Sequence, residues 1–323
     1  MHEMGGFLPL ELNQGKEWFA KISDEKIVRV NTGRTAIYLA IKSMGIKKIF
    51  VPYYYCPSVM RVFTDSGIEV ENYRIDETLS PVDCNPGPVD GIILVNYFGI
   101  CTEQMKKNIE KYSNIIIDNT QAFFEPPAWR DDIYNIYSCR KFFGVSDGGY
   151  LIGNKIQYER LDRDYSAKRS AYLMSTIELG TNENYCASKE NEVCIGNQYL
   201  IMSELTEKVM KSVNYEQVLK KRRSNFQHLH SLLKDYQRLT FIPSACDPYN
   251  YPLHLDIDIN KLLVENKIYV PILWKHCIES NKIDSIEYKM SKNTAFLPID
   301  QRYDKGDMEY MANIVKSLIE NYV

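Results

Sequence analysis

Residues 91–119, GIILVNYFGICTEQMKKNIEKYSNIIIDN, read as strand, helix, strand. GIILV (91–95) and IIID (115–118) begin as unbroken apolar runs with no polar residue alternating between them. A strand with one wet face alternates in polarity, whereas a strand covered on both faces does not. Between the two runs, TEQMKKNIEKYS (102–113) has the pattern of an amphipathic helix with a wide polar face. Buried strands joined by helices predict a parallel sheet sandwiched between helical layers.

The same alternation extends toward the N-terminus. TGRTAIYLAIKSMG (32–45) repeats Ala36, Ile37, Ala40, Ile41 and Met44 at helical spacing, with Thr32 placed to cap it and Gly45 to end it. KKIFVP (47–52) reads as a strand, PSVMRVFTDSG (57–67) as a helix closed by Gly67, and IEVENYRID (68–76) as a strand. ETLSPVDCNPGP (77–88) is a loop on its three prolines and one glycine. DIYNIYS (132–138) and GGYLIGN (148–154) add strands, after which the strand signal fades. A long helix is expected from Tyr199 to Tyr236, then weak strands YPLHLDI (251–257), IYVPIL (268–273) and TAFLPI (294–299), then a closing helix from Asp307. The expected architecture is a large domain over 1–208 with a mostly parallel sheet between helices, and a smaller C-terminal α/β domain over 209–323.

Composition narrows the function classes. A chain of 323 residues with 25% charged residues and a net charge of -3 has no basic excess for nucleic acid. The eight cysteines are scattered, with no C-x-x-C pair, which argues against a zinc site and for a reducing compartment. The opening MHEMGGFLPLEL lacks a basic segment followed by an apolar run, and no apolar stretch approaches membrane-spanning length. A cytoplasmic protein without membrane contact is expected. No G-x-G-x-x-G turn, H-E-x-x-H helix or G-x-S-x-G elbow is present.

Ligands of parallel sheets bind beyond the carboxyl ends of the strands, so the polar residues there are the candidates. NTGRTA (31–36) opens a helix, where free N–H groups and Gly33, Arg34 and Thr35 could cradle a phosphate, although the same turn serves as an ordinary cap. Asp118 emerges from three isoleucines, and a desolvated carboxylate calls for a cationic partner; Gln121 follows in the same crevice. Lys141, next to Arg140 and two phenylalanines, has the setting that lowers an amine's pKa for Schiff-base chemistry. Ser138 stands three residues before it and could donate to a phosphate oxygen. In VPYYYCP (51–57) a tyrosine could stack on a planar ring, with core or interface packing as the competing use. A cradle, a flat plate, an acid and an amine together fit pyridoxal 5'-phosphate, whose protonated ring nitrogen makes it an electron sink.

TGRTAIYLAIKSMG, FVPYYYCPSVMRVFTDSGIEVENYRID, IIIDNTQAFF, SCRKFFGVSDGGYLIGN and FLPIDQRYDKGDMEYMANIV resemble the DegT/DnrJ/StrS aminotransferases, which have the aspartate-aminotransferase-like fold of fold-type I pyridoxal-phosphate enzymes. The resemblance makes Lys141 the Schiff-base lysine and Asp118 the partner of the pyridine nitrogen. It sets Gln121 near the ring hydroxyl and Gly33, Arg34 and Thr35 on the phosphate; the family's usual serine lies further upstream of the lysine than Ser138, which is a candidate from its own position. It matches Asp147, Gly148 and Gly149 to the acidic-Gly-Gly turn after the lysine. Cys56 stands in register with the family's stacking aromatic, so Tyr54 is the nominated substitute. The family's Gly-x-Asn-x-Arg segment is missing from the middle of this chain, where Asn182, Asn184 and Asn197 are candidate substitutes. The implied activity moves an amino group from an amino acid, glutamate by analogy, to a keto sugar or similar carbonyl, in a homodimer. A non-catalytic or regulatory relative that keeps the cofactor site is the alternative. A dehydratase of the same fold, with histidine in place of the lysine, is disfavoured by Lys141.

Overall fold

One eight-stranded sheet dominates the computed structural model, which describes residues 4–196, 198–280 and 282–321. In chain order its half of the molecule contains β1 (Ile27–Val30), α1 (Gly33–Met44), β2 (Lys48–Pro52), α2 (Met60–Ser66), β3 (Glu69–Ile75), β4 (Pro81–Val82), β5 (Gly91–Val95), α3 (Thr102–Lys111), β6 (Ile115–Asp118), β7 (Ile133–Ser138) and β8 (Gly149–Gly153). The strands lie in the order β1-β8-β7-β6-β5-β2-β3-β4. The run β7, β6, β5, β2, β3 is parallel. β8 is antiparallel to β7, β1 to β8, and the two-residue β4 to β3.

The apolar runs explain this order. Every residue of β5, β6, β7 and β8 is buried, as strands covered on both faces must be. Each fully buried Ile, Leu or Val contributes about 1.5–3 kcal/mol, so the centre of the sheet is fixed by burial. α1 has the expected ends: Thr32 Oγ1 accepts from the Thr35 N–H, and Gly45 closes the helix at φ 64. The sequence reading did not assign β1. Its IVRV has Arg29 in mid-strand, and it forms because β8 supplies its ladder while Arg29 pairs with Glu17 and Asp24.

The remainder contains α4 (Ala171–Glu183), α5 (Tyr185–Ile195), α6 (Glu204–Ser212), α7 (Tyr215–Leu233), β9 (Tyr251–His254), α8 (Asn260–Glu265), α9 (His276–Glu279), α10 (Ile286–Asn293), β10 (Thr294–Leu297) and α11 (Lys305–Glu320). The single helix expected from Tyr199 to Tyr236 is two, with residue 208 inside α6. Val213 is extended, and Asn214 caps α7 by accepting from the Gln217 N–H. The expected strand IYVPIL is irregular. Pro271 has no N–H to donate, and β9 and β10 pair only with each other. Phe226, Leu229 and Leu233 of α7 and Met308, Met311 and Val315 of α11 are buried in the core that β9 and β10 join.

Candidate active site

β1, β2, β5, β6 and β7 all end at the same edge of the sheet, given their pairing directions. Asp118 is the last residue of β6 and is only 4% exposed. Its Oδ2 accepts from the Tyr55 hydroxyl at 2.5 Å and its Oδ1 from the Thr120 N–H at 2.8 Å. Burial and the adjacent Asp118 carboxylate push the Tyr55 phenol well above its ordinary pKa, which keeps it a donor. Lys141 follows β7, and its Nζ donates to Thr120 Oγ1 at 3.2 Å. Thr120 therefore stands between the acid and the amine. Burial lowers the Lys141 pKa; the Asp118 charge opposes the shift, and Arg140 adds to it.

The first turn of α1 meets this corner. A Cβ on Gly33 would lie 3.1 Å from Thr120 Cγ2, tighter than ordinary contact, so glycine keeps this approach uncrowded. Ser138 ends β7 at 5% exposure, beside the entry to α1. Arg34 is half-buried, and its guanidinium sits within 3.3–3.4 Å of where a Gly196 Cβ would be. Burial and the like charge of Arg140 lower its pKa. Arg140 in turn forms an ion pair with Glu192 of α5. Burial would raise the Glu192 carboxyl, but Arg140 and Arg34 outweigh it and hold it below its usual value.

Three of the sequence candidates are engaged elsewhere. Thr35 is fully buried; its hydroxyl donates to Asn31 Oδ1 at 2.6 Å and its N–H to Thr32, so both donors serve the cap. Gln121 Oε1 accepts from the Phe98 N–H at 2.9 Å. It braces the turn after β5, where Phe98 sits at φ 58 and a Cβ on Gly99 would come within 2.8 Å of Gln121 O. Tyr54 is fully enclosed, edge-on to Trp274 at 4.3 Å and beside Tyr97 and Phe98. Tyr55, not Tyr54, reaches the acid. Three consecutive tyrosines hid this, although alternation along extended backbone sends neighbours to opposite sides. Trp274 thus packs on the Tyr54 cluster.

The Asp147-Gly148-Gly149 turn is a clamp. Asp147 accepts from the Ser203 N–H and hydroxyl, at 2.8 and 2.7 Å, and from the Thr206 hydroxyl, anchoring the start of α6. Gly148 has φ 112, and its N–H donates to Asn31 O at 2.5 Å. A Cβ on Gly149 would lie 2.7 Å from Tyr137 O and 3.2 Å from the Thr32 carbonyl carbon. The turn thereby seats β8 against the entry to α1. A further cation escaped the sequence reading: Arg222, 2% exposed, lies 4.6 Å over the Phe142 ring and donates to Gln301 Oε1 at 3.1 Å. Gln301 Nε2 donates to Phe142 O at 2.9 Å, which ties the residue after Lys141 to the C-terminal part of the chain. Of the asparagines in the middle segment, Asn184 is buried and donates to Gly180 O at 2.8 Å, Asn182 is exposed, and Asn197 lies outside the described residues.

These residues fit pyridoxal phosphate. Gly33 presents bare backbone where a Cβ would crowd Thr120, the Ser138 hydroxyl lies at the end of β7, and each Asp118 oxygen keeps a second acceptor site. No group of three or more His, Cys, Asp or Glu among the described residues is placed to hold a metal ion. No helix among them is long and apolar enough to cross a membrane.

No protein-family model and no curated protein sequence matches the chain. Solved structures do. The sugar aminotransferase CalS13 of Micromonospora echinospora superposes with a TM-score of 0.62 at 12% identity, over 90% of this chain and 87% of that one. The aminotransferase TlmJ of Streptoalloteichus hindustanus gives 0.61 at 14% identity, over 94% and 88%. The E. coli GDP-4-keto-6-deoxy-D-mannose-3-dehydratase with bound hydrated PLP gives 0.59 at 15% identity, over 89% and 87%. The chain has the fold these proteins share, the aspartate-aminotransferase-like fold expected from its sequence.

Proposed function

We propose that the protein is a pyridoxal-phosphate-dependent aminotransferase. It would move the amino group of an amino acid, glutamate in the first instance, to a keto sugar or a similar carbonyl compound. One observation carries the reading: Lys141 and Asp118 flank Thr120 in one buried corner, with the amine's pKa lowered by burial. The cofactor, when bound, supplies the electron sink for chemistry at the donor's α-carbon. Asp118 holds negative charge for the ring nitrogen, and Tyr55 and the Thr120 N–H fix the carboxylate's direction. Lys141 would hold the cofactor through its amine and would serve as the acid–base group for the proton at the substrate carbon. Gly33, Arg34 and Ser138 receive the phosphate. Thr35 supports that turn through the cap, and Gln121 sets the wall toward the ring hydroxyl.

A homodimer is part of the proposal. Met174, Ile177 and Leu179 of α4 and Tyr185 and Val193 of α5 are exposed apolar residues on one helical hairpin, the kind of surface a second subunit covers. The eight thiols, all free, agree with a reducing cytoplasmic setting. The test is spectroscopic. Protein incubated with pyridoxal phosphate gains a band near the visible edge, Lys141→Ala does not, and glutamate converts the band to that of the amine form. Cofactor uptake with no conversion by any amino donor would favour the non-catalytic relative instead.

A further inference from the structure

α5 is attached to the rest of the chain in an unusual way. α4 buries no residue, and α5 buries only Asn191 and Ile195. The hairpin is held by polar contacts. Asn191 Nδ2 donates to Ser146 O at 2.9 Å, Asn191 Oδ1 accepts from Arg169 at 3.1 Å, and Glu192 pairs with Arg140. Two of the three grip the segment 140–146 that carries Lys141. The last turn of α5 also faces Arg34, whose Nη1 lies 3.3 Å from where a Gly196 Cβ would be. A helix C-terminus carries partial negative charge from its free carbonyls. One carboxylate and one helix end therefore cover two cations at the mouth of the cradle.

We propose that Glu192 and the C-terminal turn of α5 act as an internal anion that occupies the cation pair Arg34–Arg140, and that the cofactor's phosphate displaces it. The inference rests on the aminotransferase reading of the site. Glu192 is half-exposed, and ion pairs of that kind are weak and screened by salt. A phosphate dianion brings more charge and three acceptor oxygens to the same guanidinium groups, which favour planar bidentate recognition. Displacement frees α5 from the Lys141 segment, because little apolar burial holds it there. Glu192 thus sets how tightly the phosphate is held and couples phosphate arrival to loosening of the hairpin.

The test compares the full-length protein with Glu192→Gln and Glu192→Asp, using inorganic phosphate, pyridoxal phosphate and unphosphorylated pyridoxal as probes. Glu192→Gln should bind pyridoxal phosphate about fivefold tighter, the order of one exposed ion pair. Its affinity for pyridoxal should not change, and Glu192→Asp should lie between. Inorganic phosphate should speed amide exchange across 185–196 in the wild type and have no further effect in Glu192→Gln. Equal phosphate-ester affinity in the variant and the wild type, or phosphate slowing exchange across 185–196, would overturn the proposal. Phosphate-driven loosening supports it even in a protein whose Lys141 band never forms. Absence of that band counts against the aminotransferase reading alone.

Discussion

The strand-end corner and the α4–α5 hairpin are built by opposite means. At the corner, Asp118, Ser138 and Tyr55 are 4%, 5% and 5% exposed, and their positions follow from fully buried strands and backbone ladders. In the hairpin, α4 buries no residue, Ile177 is 86% exposed, and Gly180 kinks the helix at φ 81. The corner places an amine and an acid on rigid elements, as precise chemistry requires. The hairpin leaves its apolar side chains in solvent and holds on by side-chain polar contacts. Position is thus fixed by burial at the corner and left to polar side-chain contacts at the hairpin.

The corner should fail completely when its amine is removed. Lys141→Ala is expected to lower transamination by at least about 10³-fold, within the range of positioned acid–base groups, and to erase the cofactor band. Its stability profile should change too. The folded protein holds Lys141 below its ordinary value of 10.5, so between the two values the unfolded chain binds more protons. Stability contributed at this site therefore rises with pH across that window. The rise should be absent from thermal melts of Lys141→Ala; a variant that keeps it would show that burial does not shift this amine. Next in size is Gly149→Ala, which drives a Cβ to 2.7 Å from the Tyr137 carbonyl oxygen and toward Thr32, all backbone. Overpacking of this kind costs about 3 kcal/mol, read as a lower denaturation midpoint at unchanged slope. A neutral result would mean that β8 can move away from α1. Tyr55→Phe removes one donor from a buried carboxylate and should cost about 1.5 kcal/mol, with weaker cofactor binding. Tyr54→Phe should not affect the cofactor.

What the sequence made legible follows the same division. The runs GIILV and IIID could only be strands covered on both faces, and Asp118 and Lys141 stand at their ends or the next strand's end. Their positions could be inferred because chain order and backbone direction set them. Features that depend on side-chain direction or on long-range packing were not legible. YYY does not say which ring faces the acid, and the answer, Tyr55, came from the turn after β2. NTGRTA offered Thr35 equally to a phosphate or to the cap, and the hydrogen bonds to Asn31 and Thr32 engage it in the cap. α4 and α5 gave no amphipathic signal because they have almost no buried face to encode. Glu192 reaches Arg140 from 52 residues away and Arg222 reaches Phe142 from 80, a juxtaposition that no local pattern records.

The smallest expected effect tests the other side of the comparison. Ile177 makes almost no contact that a lysine stem could not replace, so Ile177→Lys should shift unfolding free energy by no more than about 0.5 kcal/mol. If Met174, Ile177 and Leu179 seat against a second subunit, the same charge would be desolvated there and would weaken association. Melting at high dilution and sedimentation across a concentration series separate the two effects. An unchanged melt with weakened self-association would make the hairpin an interface rather than a packed part of the monomer. A melt lowered well beyond that limit at high dilution would show that α4 is buried against its own chain, and the contrast between corner and hairpin would fall.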